Sequence, residues 1–500
     1  MSGKRIAIDE LESYLWGAAV LLRTSIDAGA YKQYIFPLLF FKRLCDVYDE
    51  ETELAVAQYG AEIKEFAGEE IHAFIIPKKY HWNRVREASE NVGQAIVDAF
   101  KGIEKANVEK LQGVFGDAAW TNKNRLSDTL LKDLLDHFSS QTLSLANCPE
   151  DELGQGYEYL IGKFADDSGH TAQEFYTNRT VVHLMTEILK PQPGESVYDP
   201  TCGSAGMLIS CVAYLKERGL EWRNLKIYGQ EINQLSSAIA RMNLFLHGIE
   251  DFQIANDDVL TRPAFLKNNR LQTFDIALAN PPYSIKNWDR TAFDSDKYGR
   301  NFLGMPNQSR ADFAFIQHIL ASMNKKNGRC AILLPNGILN RREEATMRRE
   351  LIKRDLLDCV VGLGKHLFYN SAMEACVLIC RSSKASDRKG KVLFIDARKY
   401  VERKDTVSFL TKEHINMLAR VYADYSSVKG LTSVAKEKEI AANDYNLAID
   451  RYINSVCENI DVINTKDAVK EWDKHSNELR KSIASLTALI KETRNDQSSI

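Results

Sequence analysis

The stretch SVYDPTCGSAG, residues 196–206, indicates how the central part of the chain folds. Its apolar start predicts a short strand, Gly203 and Gly206 allow the backbone to approach a ligand closely, and residues 207–217 predict a helix. A strand, a glycine-bearing loop and a helix in this order form the first unit of a doubly wound sheet. The loop matches neither GxGxxG nor GxxxxGK[ST], so a pyrophosphate ligand is not predicted.

Further apolar runs continue this pattern along the chain. They predict six more strands, at residues 226–230, 252–255, 274–279, 330–334, 359–363 and 375–380, with helices between them. Seven strands with interleaved helices predict a doubly wound, Rossmann-like α/β sheet. The carboxyl ends of its parallel strands should line one edge, where such sheets bind ligands.

Acidic or amide side chains follow three of these strands. Glu231 ends the second strand, where an acidic residue commonly holds a ribose hydroxyl pair. Asp258 follows the third strand and can accept from the exocyclic amine of an adenine; the alternative is a cap for the next turn. Asn280-Pro281-Pro282-Tyr283 follows the fourth, and two prolines end a strand because they cannot donate to a ladder. For the tetrapeptide alone, a plain proline turn is the alternative.

The segments on either side of the sheet are predicted to be helical. In residues 1–150 apolar side chains return every three or four positions, which predicts a helical domain. Residues 151–430 carry the sheet, and residues 431–500 form a helical tail. The tail contains a heptad seam with one polar position, formed by Val469, Trp472, Ser476, Leu479, Ile483, Leu486 and Ile490. This seam is predicted to dock on another subunit, with docking on its own chain as the alternative.

Composition limits the compartment and the kinds of site. No signal peptide is recognisable, no apolar run near the N-terminus approaches the roughly 20 residues that span a bilayer, and the nine cysteines include no CxxC pair. We therefore expect a cytoplasmic protein without a zinc site or a disulfide framework.

A nucleic-acid partner would have to be bound locally, because the formal net charge is −3. The long polar loop between Tyr283 and Ala311 offers such a patch. Basic and aromatic residues mixed in this way suit a nucleic-acid backbone, and a plain solvated loop is the alternative. The residues concerned are Lys286, Trp288, Arg290, Lys297, Arg300 and Arg310.

Four of these features occur in one order: the DPxxGSAG loop at residues 199–206, Glu231, Asp258 and the tetrapeptide at 280–283. Together they resemble S-adenosylmethionine-dependent adenine-N6 DNA methyltransferases. Over roughly residues 10–455 the chain is also similar to the modification subunit of type I restriction-modification systems. That similarity is carried by YKQY (31–34), EFYTNR (174–179), ADFAFIQH (311–318) and LPNG (334–337).

The resemblance implies a methyltransferase sheet and a set of site residues. Those implied to bind S-adenosylmethionine are Glu174, Phe175, Tyr176, Thr177, Asn178, Arg179, Asp199, Gly203, Ser204, Ala205, Gly206, Glu231 and Asp258. Thr177 is also a plausible N-cap for the helix that follows. Asn178 stands where the family commonly has proline, which we expect to loosen the turn, and residues 368–374 depart from the family pattern.

The implied chemistry assigns catalysis to Asn280, Pro281, Pro282 and Tyr283. Adenine N6 is a poor nucleophile, so the Asn280 amide oxygen and the Pro281 carbonyl would accept its two hydrogens and aim its lone pair at the methyl group. Tyr283 would stack on a base flipped out of double-stranded DNA. Cytosine-C5 methylation needs a Pro-Cys nucleophile, and here Cys148-Pro149 is reversed.

Target recognition is the missing part of this scheme. Only about 70 residues follow residue 430, too few for a target-recognition domain beside the predicted helices, so a separate specificity subunit is expected. No Walker motif is present, which places restriction in a third polypeptide, and a second copy of this subunit is expected in the assembly. Two rival functions remain: methylation of a protein glutamine or an RNA base, and a catalytically silent scaffold.

Overall fold

Seven α-helices make up the N-terminal region, up to residue 167, in the part of the chain that the structure, a computed structural model, describes. That part comprises residues 5–23, 25–65, 71–167, 177–367, 374–404, 407–453 and 465–496. The helices are α1 Ile8–Leu22, α2 Lys32–Tyr59, α3 Trp82–Arg86, α4 Val92–Ala106, α5 Val108–Leu111, α6 Asp128–Ser139 and α7 Glu150–Asp167. The predicted all-helical N-terminal region is therefore confirmed.

Helix α6 shows how local sequence forms these helices. In α6, Leu131, Leu134, Leu135 and Phe138 are buried at helical spacing, and the Ser127 hydroxyl caps the helix by accepting from the Leu130 N–H at 3.1 Å.

The described residues also contain thirteen strands, nine of which form one sheet. The strands are β1 Ser196–Asp199, β2 Lys226–Glu231, β3 Phe252–Asn256, β4 Leu266–Lys267, β5 Arg270–Leu271, β6 Ile276–Ala279, β7 Arg329–Pro335, β8 Leu357–Leu363, β9 Ala375–Arg381, β10 Lys391–Ala397, β11 Glu402–Lys404, β12 Val407–Phe409 and β13 Thr432–Lys436. The order in the sheet is β13-β10-β8-β9-β7-β6-β1-β2-β3, while β4–β5 and β11–β12 form separate hairpins. Strands β9 and β13 run antiparallel to their neighbours.

Helices cover both faces of this sheet, as a doubly wound fold requires. They are α8 Arg179–Leu189, α9 Gly206–Glu217, α10 Gln234–Leu246, α11 Arg290–Asp294, α12 Asp312–Ala321, α13 Ala345–Lys353, α14 Lys412–Asp424 and α15 Glu437–Ala442. Helices α8, α9 and α14 share one apolar core with the sheet, and α12, α13 and α15 share the other. The N-terminal helices pack on α10 through Ile239 and Met242.

All seven predicted strands are present, but the sheet contains two more, β10 and β13. Strand β10 is a buried apolar run like those that predicted the other strands, whereas β13 is a short, half-exposed edge strand. Because β13 pairs with β10 and Ile440 of α15 is buried, the compact unit Met1–Ile453 extends past the predicted boundary at residue 430.

The strand order reverses between β1 and β6. From β1 the chain moves outward to β2 and β3, then returns to add β6 and β7 on the other side of β1. Open α/β sheets bind ligands at the carboxyl edge of such a reversal. The loop after β1 and the tetrapeptide after β6 therefore flank the expected binding position.

The second unit, residues 454–500, contains the helix α16 Thr465–Asp496. Of the predicted seam, Val469, Trp472, Leu479 and Ile483 are exposed, with Trp472 exposed to 68%. Leu486 and Ile490 belong to the helix, but their side chains lie outside the described part. Across the described ranges, no helix combines the length and apolarity needed to cross a bilayer.

Candidate active site

Asn280 lies directly after β6, and both ends of its amide are hydrogen-bonded. Its Nδ2 donates to Thr177 Oγ1 at 2.9 Å, and its Oδ1 accepts from the Tyr283 hydroxyl at 2.6 Å. In this arrangement Nδ2 lies on the side of Thr177 and Oδ1 on the side of Tyr283. An amide oxygen has two lone pairs, so Oδ1 keeps one for a further donor.

Tyr283 is half-buried and packs against the apolar core beneath the sheet edge. Burial raises the pKa of its hydroxyl well above the ordinary value, so the group keeps its proton at neutral pH and remains a donor to Asn280. In this conformation its hydroxyl is used to hold the acceptor amide.

The chain after Tyr283 is held by a residue to which the sequence had assigned no role. Ser284 has a positive φ of 53°, and its N–H donates to Asp312 Oδ1 at 2.7 Å. Asp312 is buried and its Oδ2 pairs with Arg341 at 2.7 Å. Asp312 belongs to the stretch 311–318, which carries part of the family similarity. Only the fold brings this residue, at the start of α12, next to the tetrapeptide.

Asn178 caps α8 and ties it to a hairpin. Its Oδ1 accepts from the Thr180 N–H at 3.0 Å, and its Nδ2 donates to the Ser408 carbonyl in β12 at 2.8 Å. The predicted cap at Thr177 is therefore wrong. A proline in this position could make neither side-chain bond.

The glycine loop and Glu231 lie together. Gly203 has a positive φ of 52°, and its N–H donates to Glu231 Oε2 at 3.0 Å, while Oε1 accepts from the Asn233 N–H at 2.9 Å. Burial raises the pKa of Glu231. This arrangement joins the first two predicted strand ends into one concave edge.

Gly206 is needed for a neighbouring side chain. A Cβ there would lie 1.5 Å from a guanidinium nitrogen of Arg179, which pairs with Glu158 of α7 at 2.6 Å. At Gly203, by contrast, a Cβ would meet only open space.

Asp199 is buried beneath the loop, with 2% of its surface exposed. One carboxyl oxygen accepts from the Thr201 N–H at 3.0 Å. Burial raises the pKa of Asp199 to about 8, and the nearby Glu231 carboxylate adds to the effect. The group is therefore mostly protonated at neutral pH.

Replacing Asp199 by asparagine should flatten the dependence of stability on pH. A folded-state pKa near 8 lies above the unfolded value of about 3.9, so the folded protein holds the proton more tightly. Stability should fall as pH rises through this interval, by about 3 kcal/mol between pH 5.5 and pH 8.5, and Asp199→Asn should remove that fall. Urea unfolding at pH 5.5 and pH 8.5 gives the change in the free energy of unfolding with pH. The same change in the wild type and in Asp199→Asn would contradict the prediction.

Asp258 adopts the alternative considered for it, a cap for the following turn. Its Oδ1 accepts from the Leu260 N–H at 3.0 Å and its Oδ2 from the Thr261 hydroxyl at 2.8 Å. Each oxygen keeps a lone pair for a further donor. Of the other predicted cofactor residues, Glu174, Phe175 and Tyr176 lie outside the described residues, as do 368–373.

The basic loop after Tyr283 is folded on itself rather than freely solvated. Arg300 is 1% exposed and pairs with Asp296 at 2.7 Å, while Arg290 and the Trp288 indole donate to carbonyls of Pro306 and Gln308. Arg300, Arg290 and Trp288 therefore make contacts within the protein. Lys286 and Lys297 remain exposed.

The chain is similar to known proteins along nearly its whole length. The profile of the N-6 DNA Methylase family matches residues 149–461, and that of the HsdM N-terminal domain matches residues 11–138. It is 30% identical to the MjaVIII methylase subunit, a type I restriction enzyme subunit of Methanocaldococcus jannaschii, over 95% of this chain and 83% of that protein. It is also 30% identical to the HindI methylase subunit of Haemophilus influenzae, over 83% of this chain and 95% of the relative.

A solved structure supports the same assignment. The methyltransferase subunit of a type I restriction-modification system from Streptococcus thermophilus superimposes with a TM-score of 0.79 and 29% identity, covering 90% of this chain and 100% of that one. The chain belongs to the N-6 DNA methylase family, as a methylase subunit of the type I restriction enzymes and an adenine-specific DNA methyltransferase.

Proposed function

We propose that this subunit transfers a methyl group from S-adenosylmethionine to N6 of an adenine flipped out of double-stranded DNA, at a position chosen by a separate specificity subunit. The observation that supports it most directly is the oriented Asn280 amide at the reversal of the sheet. The assigned residues act in three groups: the cofactor edge, the acceptor amide and the tail helix.

The cofactor edge fits S-adenosylmethionine chemically. The ligand offers ribose hydroxyls and an adenine amine as donors, and the edge offers the carboxylates of Glu231 and Asp258 as acceptors, each with lone pairs left. At Gly203 the backbone is open to a ligand. We assign the ribose to Glu231, the adenine amine to Asp258, and the remaining walls to residues 174–179 and 199–206. When bound, the ligand supplies a methyl group on a positively charged sulfur.

The acceptor amide orients the target base. The free lone pair of Asn280 Oδ1 and the Pro281 carbonyl accept the two N6 hydrogens, and the two prolines keep these acceptors rigid. Tyr283 provides the ring on which the base stacks. The bond to Thr177 holds Nδ2 on the side of that residue and leaves Oδ1 to face the amine. No covalent bond to the protein forms in this scheme.

Thr177→Val should lower kcat by about fivefold, because one hydrogen bond that orients Asn280 is lost at a net cost of roughly 1 kcal/mol. The matched control Thr177→Ser keeps the hydroxyl and should keep kcat. Single-turnover methyl transfer measures the rate, and calorimetry measures cofactor affinity. A loss of cofactor affinity at unchanged kcat would show that Thr177 contacts the cofactor but does not orient Asn280.

The tail helix provides the contact with other subunits. The exposed apolar residues of α16 lie three, seven and four positions apart, a heptad spacing that suits a partner helix in a coiled coil. We assign this partner to the specificity subunit, in a cytoplasmic assembly that also contains a second copy of this chain and, for restriction, a restriction subunit.

Truncation at residue 465 should weaken co-purification with the specificity subunit while sparing cofactor affinity, since the helix forms a unit apart from residues 1–453. Leu479→Glu in the seam should also weaken co-purification with the specificity subunit. Lys481→Glu, on another face of the helix, is the control and should leave co-purification unchanged. An unchanged complex after truncation would exclude the tail as the contact.

The proposed function is tested by a labelled-methyl assay on DNA, with and without the co-expressed specificity subunit. We expect label on adenine N6, and sequence-specific labelling only when both subunits are present. Label on protein or RNA alone would establish the rival substrate class, and no label on any of them would establish the scaffold.

A further inference from the structure

A cleft of about 850 Å³ lies at the edge of the sheet opposite to Asn280. Its position follows from the chain: Thr273 precedes β6, Lys325 precedes β7, Leu356 precedes β8, and Ser382 follows the antiparallel β9. These are the amino ends of the parallel strands, whereas Asn280 follows a carboxyl end. The cleft is therefore separate from the candidate active site.

The lining of this cleft is cationic. Arg270, Lys297, Lys325 and Arg354 line it, and no aspartate or glutamate is among the residues that do. This is a marked imbalance in a chain with 65 basic and 68 acidic residues. Within the described residues, no ion pair involves Arg270, Lys297 or Lys325. Arg354 has one distant acidic neighbour, a Glu350 oxygen at 4.0 Å. Clustered cations in a concave surface concentrate positive potential and attract polyanions.

One wall of the cleft is rigid because of Arg300. This buried guanidinium pairs with Asp296 and also donates to the carbonyls of Val259 at 2.8 Å and Leu260 at 2.7 Å. The segment that carries Lys297 and Tyr298 is thereby fixed to the turn after β3. The exposed Lys297 is one of the cations of the basic loop that remain available to a ligand.

Two aromatic rings complete the lining. Tyr298 lies beside the Lys297 ammonium, 5.1 Å from the ring centroid, and Phe302 lies 5.4 Å from the Arg354 guanidinium. Arg354 is also held by the Phe302 carbonyl at 3.3 Å. Cations beside aromatic rings are the combination with which proteins bind single strands of nucleic acid, through the phosphates and by base stacking.

We propose that this cleft binds a short single-stranded segment of nucleic acid, with its phosphates on Arg270, Lys297, Lys325 and Arg354 and a base against Tyr298 or Phe302. The cleft volume lies within the range of about 300–1,000 Å³ typical of ligand sites. The bound segment is distinct from the one that offers the target adenine, since the two sites occupy opposite edges of the sheet. The inference does not depend on the assigned roles of Asn280 or the cofactor residues.

The test measures fluorescence anisotropy of a labelled oligothymidylate, which contains no adenine for the catalytic pocket. The full chain should bind it, more weakly as salt rises, and Arg270→Glu/Lys325→Glu should weaken binding about tenfold or more. The matched control Lys353→Glu/Lys389→Glu makes the same charge change at exposed lysines outside the lining. Unchanged unfolding temperatures show that both variants are folded.

A second arm separates a strand from a free nucleotide, which carries the same phosphate chemistry. Thymidine triphosphate is added as the probe and as a competitor. Weak competition supports a strand site, whereas tight binding of the triphosphate alone, lost in the cleft variant, would overturn it in favour of a nucleotide site. Equal oligothymidylate affinity of the cleft variant and the control would overturn the site altogether.

Discussion

Asn280→Ala should lower the rate of methyl transfer by about 10²–10³-fold or more while leaving the dissociation constant of S-adenosylmethionine within about twofold. The magnitude follows from the loss of one preorganised polar contact to the reacting group. The selectivity follows from the structure, because Asn280 contacts Thr177 and Tyr283 and makes no hydrogen bond to the glycine loop or Glu231 within the described residues. Single-turnover transfer and calorimetry give the two quantities.

Asn280→Asp is the informative companion. A carboxylate keeps the acceptor oxygen, and the Thr177 hydroxyl can donate to it, so we expect activity between that of the wild type and the alanine variant. Equal rates for wild type and Asn280→Ala would remove Asn280 from the mechanism. A parallel loss of cofactor affinity would instead show that the amide helps to build the cofactor edge.

Arg300→Leu should reduce the free energy of unfolding by about 3–5 kcal/mol, because it leaves the buried Asp296 carboxylate without its partner. It also leaves the Val259 and Leu260 carbonyls without this donor. The double variant Arg300→Leu/Asp296→Leu should recover part of the loss, since no buried charge remains uncompensated. Urea unfolding measures both.

Lys286→Leu is the control for this prediction. It removes another cation from the same loop, but an exposed one, and should change stability by less than about 0.5 kcal/mol. A similar effect at both positions would show that the loop does not depend on the buried ion pair.

Several features of the fold could be predicted from the sequence because their signals are local. A buried parallel strand needs an unbroken apolar run, and a strand must end at consecutive prolines, so β6 and the position of Asn280 could be predicted from neighbouring residues alone. The same holds for β1 with its loop and for Glu231 at the end of β2. Strand β13 was missed because a short edge strand is half-exposed and lacks such a run.

The partners of the site residues could not be predicted in this way. Thr177 and Asn280 are 103 positions apart, and Asn178 and Ser408 are 230 positions apart. Arg300 belongs to a loop whose basic and aromatic residues suit a nucleic-acid backbone. The fold instead buries its guanidinium, which donates to carbonyls about 40 positions away. Gly206 belongs to a loop whose sequence predicts a ligand site, yet the fold places the Arg179 guanidinium against this glycine.

The sequence by itself thus determined the doubly wound sheet and the chemical groups at its carboxyl edge, because strand burial and strand ends follow from neighbouring residues. Only the tertiary structure decided which residues hold the Asn280 amide, that Asp312 holds the chain after Tyr283, and that Lys297 of the basic loop lies at the opposite edge. The physical reason is that hydrogen bonds and ion pairs depend on distances of a few ångströms between residues far apart in the chain, which no local pattern specifies.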